Sequence, residues 1–375
     1  MQTKFDNDYN SIHLKRYPSS KNNSLQAWNA ADSYLLEHLH TNFSLPKNPN
    51  ILIFNDAFGA LTLSLTQFQP TSVTDSFLSK KAIETNAQLN FIESQSMQLN
   101  YELKESQLKY DYILIKLPKI MDYLHEFLYS IRNNLHDKSV ILLAGMVKNM
   151  PKTLWTLLEN DFGITKTSLT KSKAKIIELK YNKKTALSRC PQSFTQENTA
   201  LTIFSYANVF SKYSLDIGTR FLLQNMPKFS KLKSIIDLGC GNGIVGLNLA
   251  IQYPNAQVTF VDESFMSIKS AQLTCTNNSI DITQHFFEVN DCLTDFDGNS
   301  CDLIVCNPPF HQSHNLSIDT ALKMFHQSYA TLVKGGHFLV VANRHLPYHS
   351  HLKRTFKNCK TIASNAKFNL FLMKK

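Results

Sequence analysis

The chain has 375 residues, 43% of them hydrophobic, and 39 Lys or Arg against 29 Asp or Glu, a formal net charge of +10. Domains of roughly 100 to 200 residues are the usual unit, so this length implies two. No run approaches the roughly 18 apolar residues of a membrane span, the N-terminus with Asp6, Asp8 and Lys21-Asn-Asn-Ser24 has no apolar signal region, and the expectation is a cytoplasmic protein without a membrane segment.

The apolar residues fall in short runs: Ile51–Phe54, Tyr112–Ile115, Ser234–Ile236, Val258–Val261 and Leu303–Val305. Longer segments of helical period separate them, the pattern of buried parallel strands covered by helices. Seven cysteines without any Cys-x-x-Cys, among them Cys240, Cys301 and Cys306 on or beside these strands, read as reduced core residues, with no disulfide framework and no metal site. The positive charge suits an acidic polymer such as nucleic acid, and equally a solvated lysine surface.

The two halves repeat one plan. Ile51-Leu-Ile-Phe-Asn-Asp-Ala-Phe-Gly59 lies over Ile235-Ile-Asp-Leu-Gly-Cys-Gly-Asn-Gly243. Asp75-Ser-Phe-Leu78 lies over Glu263-Ser-Phe-Met266, each running on to an asparagine, Asn90 and Asn278. Asp111-Tyr-Ile-Leu-Ile-Lys-Leu-Pro118 lies over Asp302-Leu-Ile-Val-Cys-Asn-Pro-Pro309. Three matches in one order argue for duplication.

From Thr165 to Arg189 the chain carries eight Lys or Arg against one acid, Glu178. Lys175–Tyr181 reads as the last strand of the first domain, either an edge blunted by lysines or a phosphate-contacting rim. The expected boundaries are therefore a first domain over 1–181, a linker over 182–199 and a second domain over 200–375.

In Leu201–Leu223, Phe210 and Asp216 either close over a cofactor or serve as packing and N-cap residues of an entry helix. Residues 234–250 then read as strand, tight turn and helix around Gly239, Gly241 and Gly243, where the backbone approaches a nucleotide-like ligand at a helix N-terminus. Gly241-x-Gly243-x-x-Gly246 with Asp262 after the next strand also fits a dinucleotide site, with the acid on ribose hydroxyls. Two details favour S-adenosylmethionine over NAD. Asp237 ends the strand where it would orient a cationic amino-acid group and sit badly near a pyrophosphate, and Asn290-Asp291 fall at the next strand end, where adenine is met.

The strand Cys301–Cys306 opens into Asn307-Pro308-Pro309-Phe310. The nitrogen of a conjugated amine is a poor nucleophile because its lone pair is delocalised. The Asn307 side-chain oxygen and the Pro308 carbonyl can take its two N–H groups and favour the pyramidal form, and Phe310 offers a stacking face. His311 and His314 are either proton acceptors or surface residues.

This tetrapeptide resembles the methyltransferases of exocyclic base amines and glutamine amides. Nearly the full chain resembles something narrower, the bacterial 23S ribosomal RNA guanine-N2 methyltransferases of the RlmG type, whose near relative modifies 16S RNA. The resemblance runs through Leu25-Gln-Ala-Trp28-Asn-Ala-Ala-Asp32, Asn55-Asp-Ala-Phe-Gly-Ala-Leu61, Ala207-Asn-Val-Phe-Ser211, Leu215-Asp-Ile-Gly218, Val261-Asp-Glu-Ser264, Asn307-Pro-Pro-Phe-His-Gln312 and Val341-Ala-Asn-Arg-His-Leu346. It implies two tandem Rossmann-like class I methyltransferase domains, the N-terminal one degenerate, with S-adenosylmethionine as co-substrate and a guanine N2 of 23S rRNA as target. The first half would bind or position RNA, Lys116-Leu-Pro-Lys119 replacing the amine clamp with two cations. Arg344 and His345 receive no role. The rivals are a 16S target, adenine N6, a glutamine amide, or an assembly factor with a vestigial site.

Overall fold

The apolar runs become the inner strands of two separate sheets in a computed structural model that describes residues 3–19, 25–103, 107–163, 165–180, 188, 190–309 and 314–375. The chain divides into two units, Met1–Arg189 and Cys190–Lys375.

The first unit opens with a hairpin of β1 (Lys4–Asp6) and β2 (Ser11–His13), then α1 (Ala30–Asn42), β3 (Ile51–Phe54), β4 (Thr71–Val73), α2 (Phe77–Leu89) and β5 (Gln98–Asn100). It continues through β6 (Tyr112–Lys116), α3 (Met121–Ser130), β7 (Val140–Met146), α4 (Lys152–Asp161), β8 (Thr165–Thr167) and β9 (Ala174–Leu179). Its sheet runs β5-β4-β3-β6-β7-β9-β8, parallel as far as β7, with β9 antiparallel to both neighbours. Every residue of β3 is buried, as expected of a strand covered on both faces.

The second unit has its own hairpin, β10 (Gln192–Thr195) with β11 (Thr202–Ser205), then α5 (Ile217–Gln224), β12 (Ser234–Leu238), α6 (Ile244–Gln252), β13 (Gln257–Asp262), α7 (Phe265–Asn277) and β14 (Phe286–Val289). It ends with β15 (Cys301–Cys306), α8 (His314–Thr331), β16 (Leu332–Asn343), α9 (Tyr348–Phe356), β17 (Lys360–Ser364) and β18 (Phe368–Lys374). Its sheet runs β14-β13-β12-β15-β16-β18-β17, strand for strand the order of the first.

The correspondence extends to side chains that generic α/β units need not share. Ser76 and Ser264 cap α2 and α7, each accepting from the amide three residues on. Past the ends of those helices, Asn90 holds both backbone polar groups of His13, at 2.6 and 2.7 Å. Asn278 holds those of Thr202 in the same way, at 3.1 and 2.7 Å. Each asparagine thereby fastens its hairpin to its helix.

Two sequence expectations change. Gln192–Thr195, expected within the linker, is a strand of the second unit, where Phe194 packs against the core. The strand expected over Lys175–Tyr181 is β9 as far as the described residues reach, and it is not an edge: β9 is enclosed between β7 and β8, and the edge is the short β8. Five of the seven cysteines, including Cys240, Cys301 and Cys306, are buried, and all seven are free thiols. Among the described residues no helix is long and apolar enough to cross a membrane, and no group of three or more His, Cys, Asp or Glu is placed to hold a metal ion.

Candidate active site

Leu238 and Cys306 are partners in the parallel pairing of β12 and β15, so Gly239 and Asn307 are the next residues out of adjacent strands. The glycine turn and the Asn-Pro-Pro segment, far apart in sequence, meet at the carboxyl ends of the central strands, where open α/β sheets take ligands.

The turn is held from below. The Gly239 and Cys240 amides donate to the Val261 carbonyl at 2.8 and 3.0 Å, and the Gly241 amide donates to Asp262 Oδ2 at 2.9 Å. Asp262 Oδ1 accepts the Ser264 amide at 2.9 Å. The expected ribose partner is thus fixed to the loop by both oxygens. Gly239, Gly241 and Gly243 all have positive φ, at 75°, 54° and 78°. A Cβ on Gly241 would meet nothing within 4 Å, whereas one on Gly243 would stand 2.7 Å from the Ala271 Cβ. Gly241 is therefore the open point of backbone approach, and Gly243 is required for helix packing.

Asp237 is buried, and its Oδ2 accepts the Gly246 amide at 2.7 Å. Burial raises its carboxyl to about 7, against the Gly246 hydrogen bond, with the nearby Asp262 charge adding to the rise. Burial likewise pushes the thiols of Cys240 and Cys306 well above their ordinary value, which suits packing and not nucleophilic chemistry.

Asn307 shows the most informative geometry. Its Nδ2 donates to Thr219 Oγ1 at 2.9 Å and to Asp216 Oδ2 at 3.3 Å, while its Oδ1 is buried and has no hydrogen-bond partner among the described residues. An unmet buried acceptor costs about 1–3 kcal/mol. Pro308 is buried beside it. Phe310 and His311 lie outside the described residues, as does the side chain of His314.

The other expected residues separate by role. Asp216 is the N-cap of α5, accepting the Thr219 amide at 2.9 Å. Of the two readings of this residue, cap and cofactor lid, the structure shows the cap. Phe210 stands on the turn between β11 and α5 with 59% of its surface exposed. The Asn290 side chain closes its own loop, donating to the Thr294 carbonyl at 2.9 Å and accepting the Asp291 amide at 2.7 Å. Asp291 is buried and pairs with Lys323 at 2.5 Å. Neither side chain is left open in the way the sequence suggested. Arg344 donates to the Asn365 carbonyl at 3.2 Å. Thr219 was not singled out in the sequence, where its only signal is its place three residues after a capping aspartate.

The same region of the first unit is rebuilt. Asn55 keeps the left-handed turn of Gly239, with φ 64°. Asp56, aligned with Cys240, turns its buried carboxylate into the loop and accepts the amides of Gly59, Leu61 and Thr62 at 2.9–3.0 Å. Thr62 aligns with Gly246, so the buried acid that accepts this amide has moved from the strand end into the loop. Lys116 is not a free cation: its Nζ lies 2.5 Å from Asp32, with side chains 12% and 7% exposed. Around these residues is a cavity of about 600 Å³, lined also by Arg16, Trp28 and Phe58, with the Arg16 guanidinium 4.5 Å from the Phe58 ring centre.

Comparison with known proteins agrees with this division. The family described as RLMG N-terminal domain matches residues 2–183, and that described as Methyltransferase small domain matches residues 200–372. The chain is 40% identical to ribosomal RNA large subunit methyltransferase G of Psychromonas ingrahamii, over 95% of this chain and 94% of that one. It is 38% identical to the protein of the same name in Aeromonas salmonicida, over 98% of each. Among solved structures it is similar to the T. thermophilus 16S rRNA N2 methyltransferase RsmC in complex with AdoMet and guanosine, with a TM-score of 0.78 at 19% identity, covering 100% of this chain and 97% of that one. At that identity the likeness establishes the shared fold.

Proposed function

The chain belongs to the ribosomal RNA large subunit methyltransferase G family, and from that premise we propose that it moves a methyl group from S-adenosylmethionine to the exocyclic N2 of one guanine in 23S rRNA. The observation that carries this reading is the buried, partnerless Oδ1 of Asn307 beside the glycine turn. It is an acceptor waiting for an N–H that no described residue supplies.

The residues at the turn fit the methyl donor. Gly241 leaves room for close approach, Asp262 is held against the loop at the Gly241 amide, and Asp237 is an acid whose burial calls for a cation. When bound, S-adenosylmethionine supplies an electrophilic methyl group on a cationic sulfur. Asn307 Oδ1 accepts one N2–H of the guanine and the Pro308 carbonyl the other. Holding both hydrogens out of the ring plane draws the nitrogen lone pair out of conjugation, so the clamp is strongest as the new N–C bond forms. The methylated nitrogen is cationic and releases its proton to water, so no buried general base is needed.

The choice of guanine N2 over adenine N6 or an amide rests on the family resemblance, and the choice of 23S over 16S RNA on relatives named for the large subunit. The first unit, with Asn55 and Ala57 in place of Gly239 and Gly241 and its cavity bordered by Arg16, serves to position the RNA. Ribosomal RNA as substrate sets this work in the cytoplasm. The test is competition between substrates: with labelled donor, protein-free 23S RNA should be methylated in preference to 16S RNA and to assembled particles. Equal or greater labelling of 16S RNA would overturn the choice of RNA.

A further inference from the structure

The amide of Asn307 has two possible orientations, and only one is useful. With Oδ1 toward the substrate it accepts N–H; turned over, Nδ2 would face the amine and repel it. Side-chain amides are nearly symmetrical in shape, so packing alone does not choose between the two. Hydrogen bonding does.

Asp216 presents a carboxylate, which offers only acceptors to a neighbour. Its Oδ2 takes the Thr219 amide at 2.9 Å and lies 3.4 Å from the Thr219 hydroxyl, which donates to it. With its one hydrogen turned that way, Thr219 Oγ1 has only lone pairs to offer Asn307. Both groups facing the Asn307 amide therefore demand N–H, and Nδ2 meets them at 2.9 and 3.3 Å. The reversed orientation would set the amide oxygen against two acceptors.

We propose that Thr219, oriented by Asp216, is a positioning residue that fixes the Asn307 amide so that Oδ1 faces the incoming amine. The proposal rests on the clamp reading given above and adds to it the device that keeps the clamp aimed. The N-cap that starts α5 is the same group that sets the polarity of the site, which ties the first turn of that helix to the end of β15. A mis-set amide would leave donor binding intact and slow the transfer step.

The experiment compares Thr219→Val, which keeps the shape and removes the acceptor, with Thr219→Ser, which restores it. In the full-length protein, Thr219→Val should lower kcat by about tenfold to a hundredfold, the scale of a misplaced reacting group, while KM for RNA and the affinity for S-adenosylmethionine change less than twofold. Thr219→Ser should recover most of the rate. An independent reading needs no turnover: the Asn307 side-chain amide resonances, identified by their loss in Asn307→Asp, should shift and exchange faster in Thr219→Val and return in Thr219→Ser. Thr219→Val with wild-type kcat and unmoved amide resonances would overturn the proposal. If the resonances respond as expected but the wild-type protein methylates no RNA, the positioning stands and the proposed function falls.

Discussion

A Cβ placed on Gly246 would stand 2.2 Å from the Phe260 ring, so the third glycine of Gly241-x-Gly243-x-x-Gly246 lets α6 pack against β13. Gly241 is its opposite, open on its Cβ side with φ at 54°. The two glycines should fail differently. Gly246→Ala should lower Tm and donor affinity together, because overpacking a core contact costs about 1–3 kcal/mol. Gly241→Ala should weaken S-adenosylmethionine binding with a smaller loss of Tm, about 1 kcal/mol of backbone strain. Thermal denaturation with and without donor, beside calorimetric titration, separates them; equal Tm losses would contradict the assignment.

Asn307→Ala should reduce kcat by about 10²–10³, the usual scale for removing one preorganised polar contact to a transition state, with donor affinity unchanged. Its Tm should change little, since the substitution removes a buried acceptor that no described residue satisfies, which offsets the loss of the Nδ2 bonds to Thr219 and Asp216. Single-turnover methylation and thermal denaturation on the same samples provide the check. A fall in Tm with no change in turnover would make Asn307 structural.

Asp237 gives a pH dependence of definite sign. Its carboxyl is raised to about 7 in the folded protein from 3.8. The stability it contributes is thus complete below the unfolded value and is lost as pH rises through about 7. Donor binding runs the other way, since a cationic amino group favours the ionised acid. S-Adenosylmethionine should bind several-fold more tightly at about pH 7 than at about pH 5.5, a range in which its own amino group stays largely charged. Asp237→Asn should flatten both profiles. Calorimetry across this range decides it, and a profile unchanged by the substitution would remove Asp237 from the donor site.

In the first unit, Lys116→Met should destabilise by about 3–5 kcal/mol, because it strands a buried Asp32. Adding Asp32→Asn should recover much of that loss. Lys119 is exposed, and Lys119→Ala should leave Tm alone while lowering the salt dependence of RNA binding by about one ion. Urea denaturation and salt titrations of binding read out the pair. Loss of RNA affinity in Lys116→Met without loss of stability would restore Lys116 as a phosphate contact.

The legible part of this molecule was its sheet interior. Ile51–Phe54 and Leu303–Val305 declare themselves because a parallel strand buried on both faces must be apolar throughout. The duplication was legible for the same reason, and the paired asparagines Asn90 and Asn278 gave it a specific anchor. Gln192–Thr195 escaped because a hairpin buried on one side alternates polar and partly buried residues, which in four residues is indistinguishable from linker. What side chains bind was the least legible. Asp291 and Lys116 look open to ligands in the sequence, and Asp216 either so or as a cap, yet each is engaged by a residue distant in sequence, Lys323, Asp32 and Asn307. Sequence shows the donor or acceptor and conceals its partner.

The measurement that bears most directly on the central claim is the identity of the methylated nucleoside. Protein-free 23S RNA treated with the full-length protein and labelled S-adenosylmethionine, digested and resolved by mass spectrometry, should yield N2-methylguanosine at a single site, and none with Asn307→Ala. Label recovered as N6-methyladenosine, as a ring-nitrogen methylguanosine or in protein would contradict it.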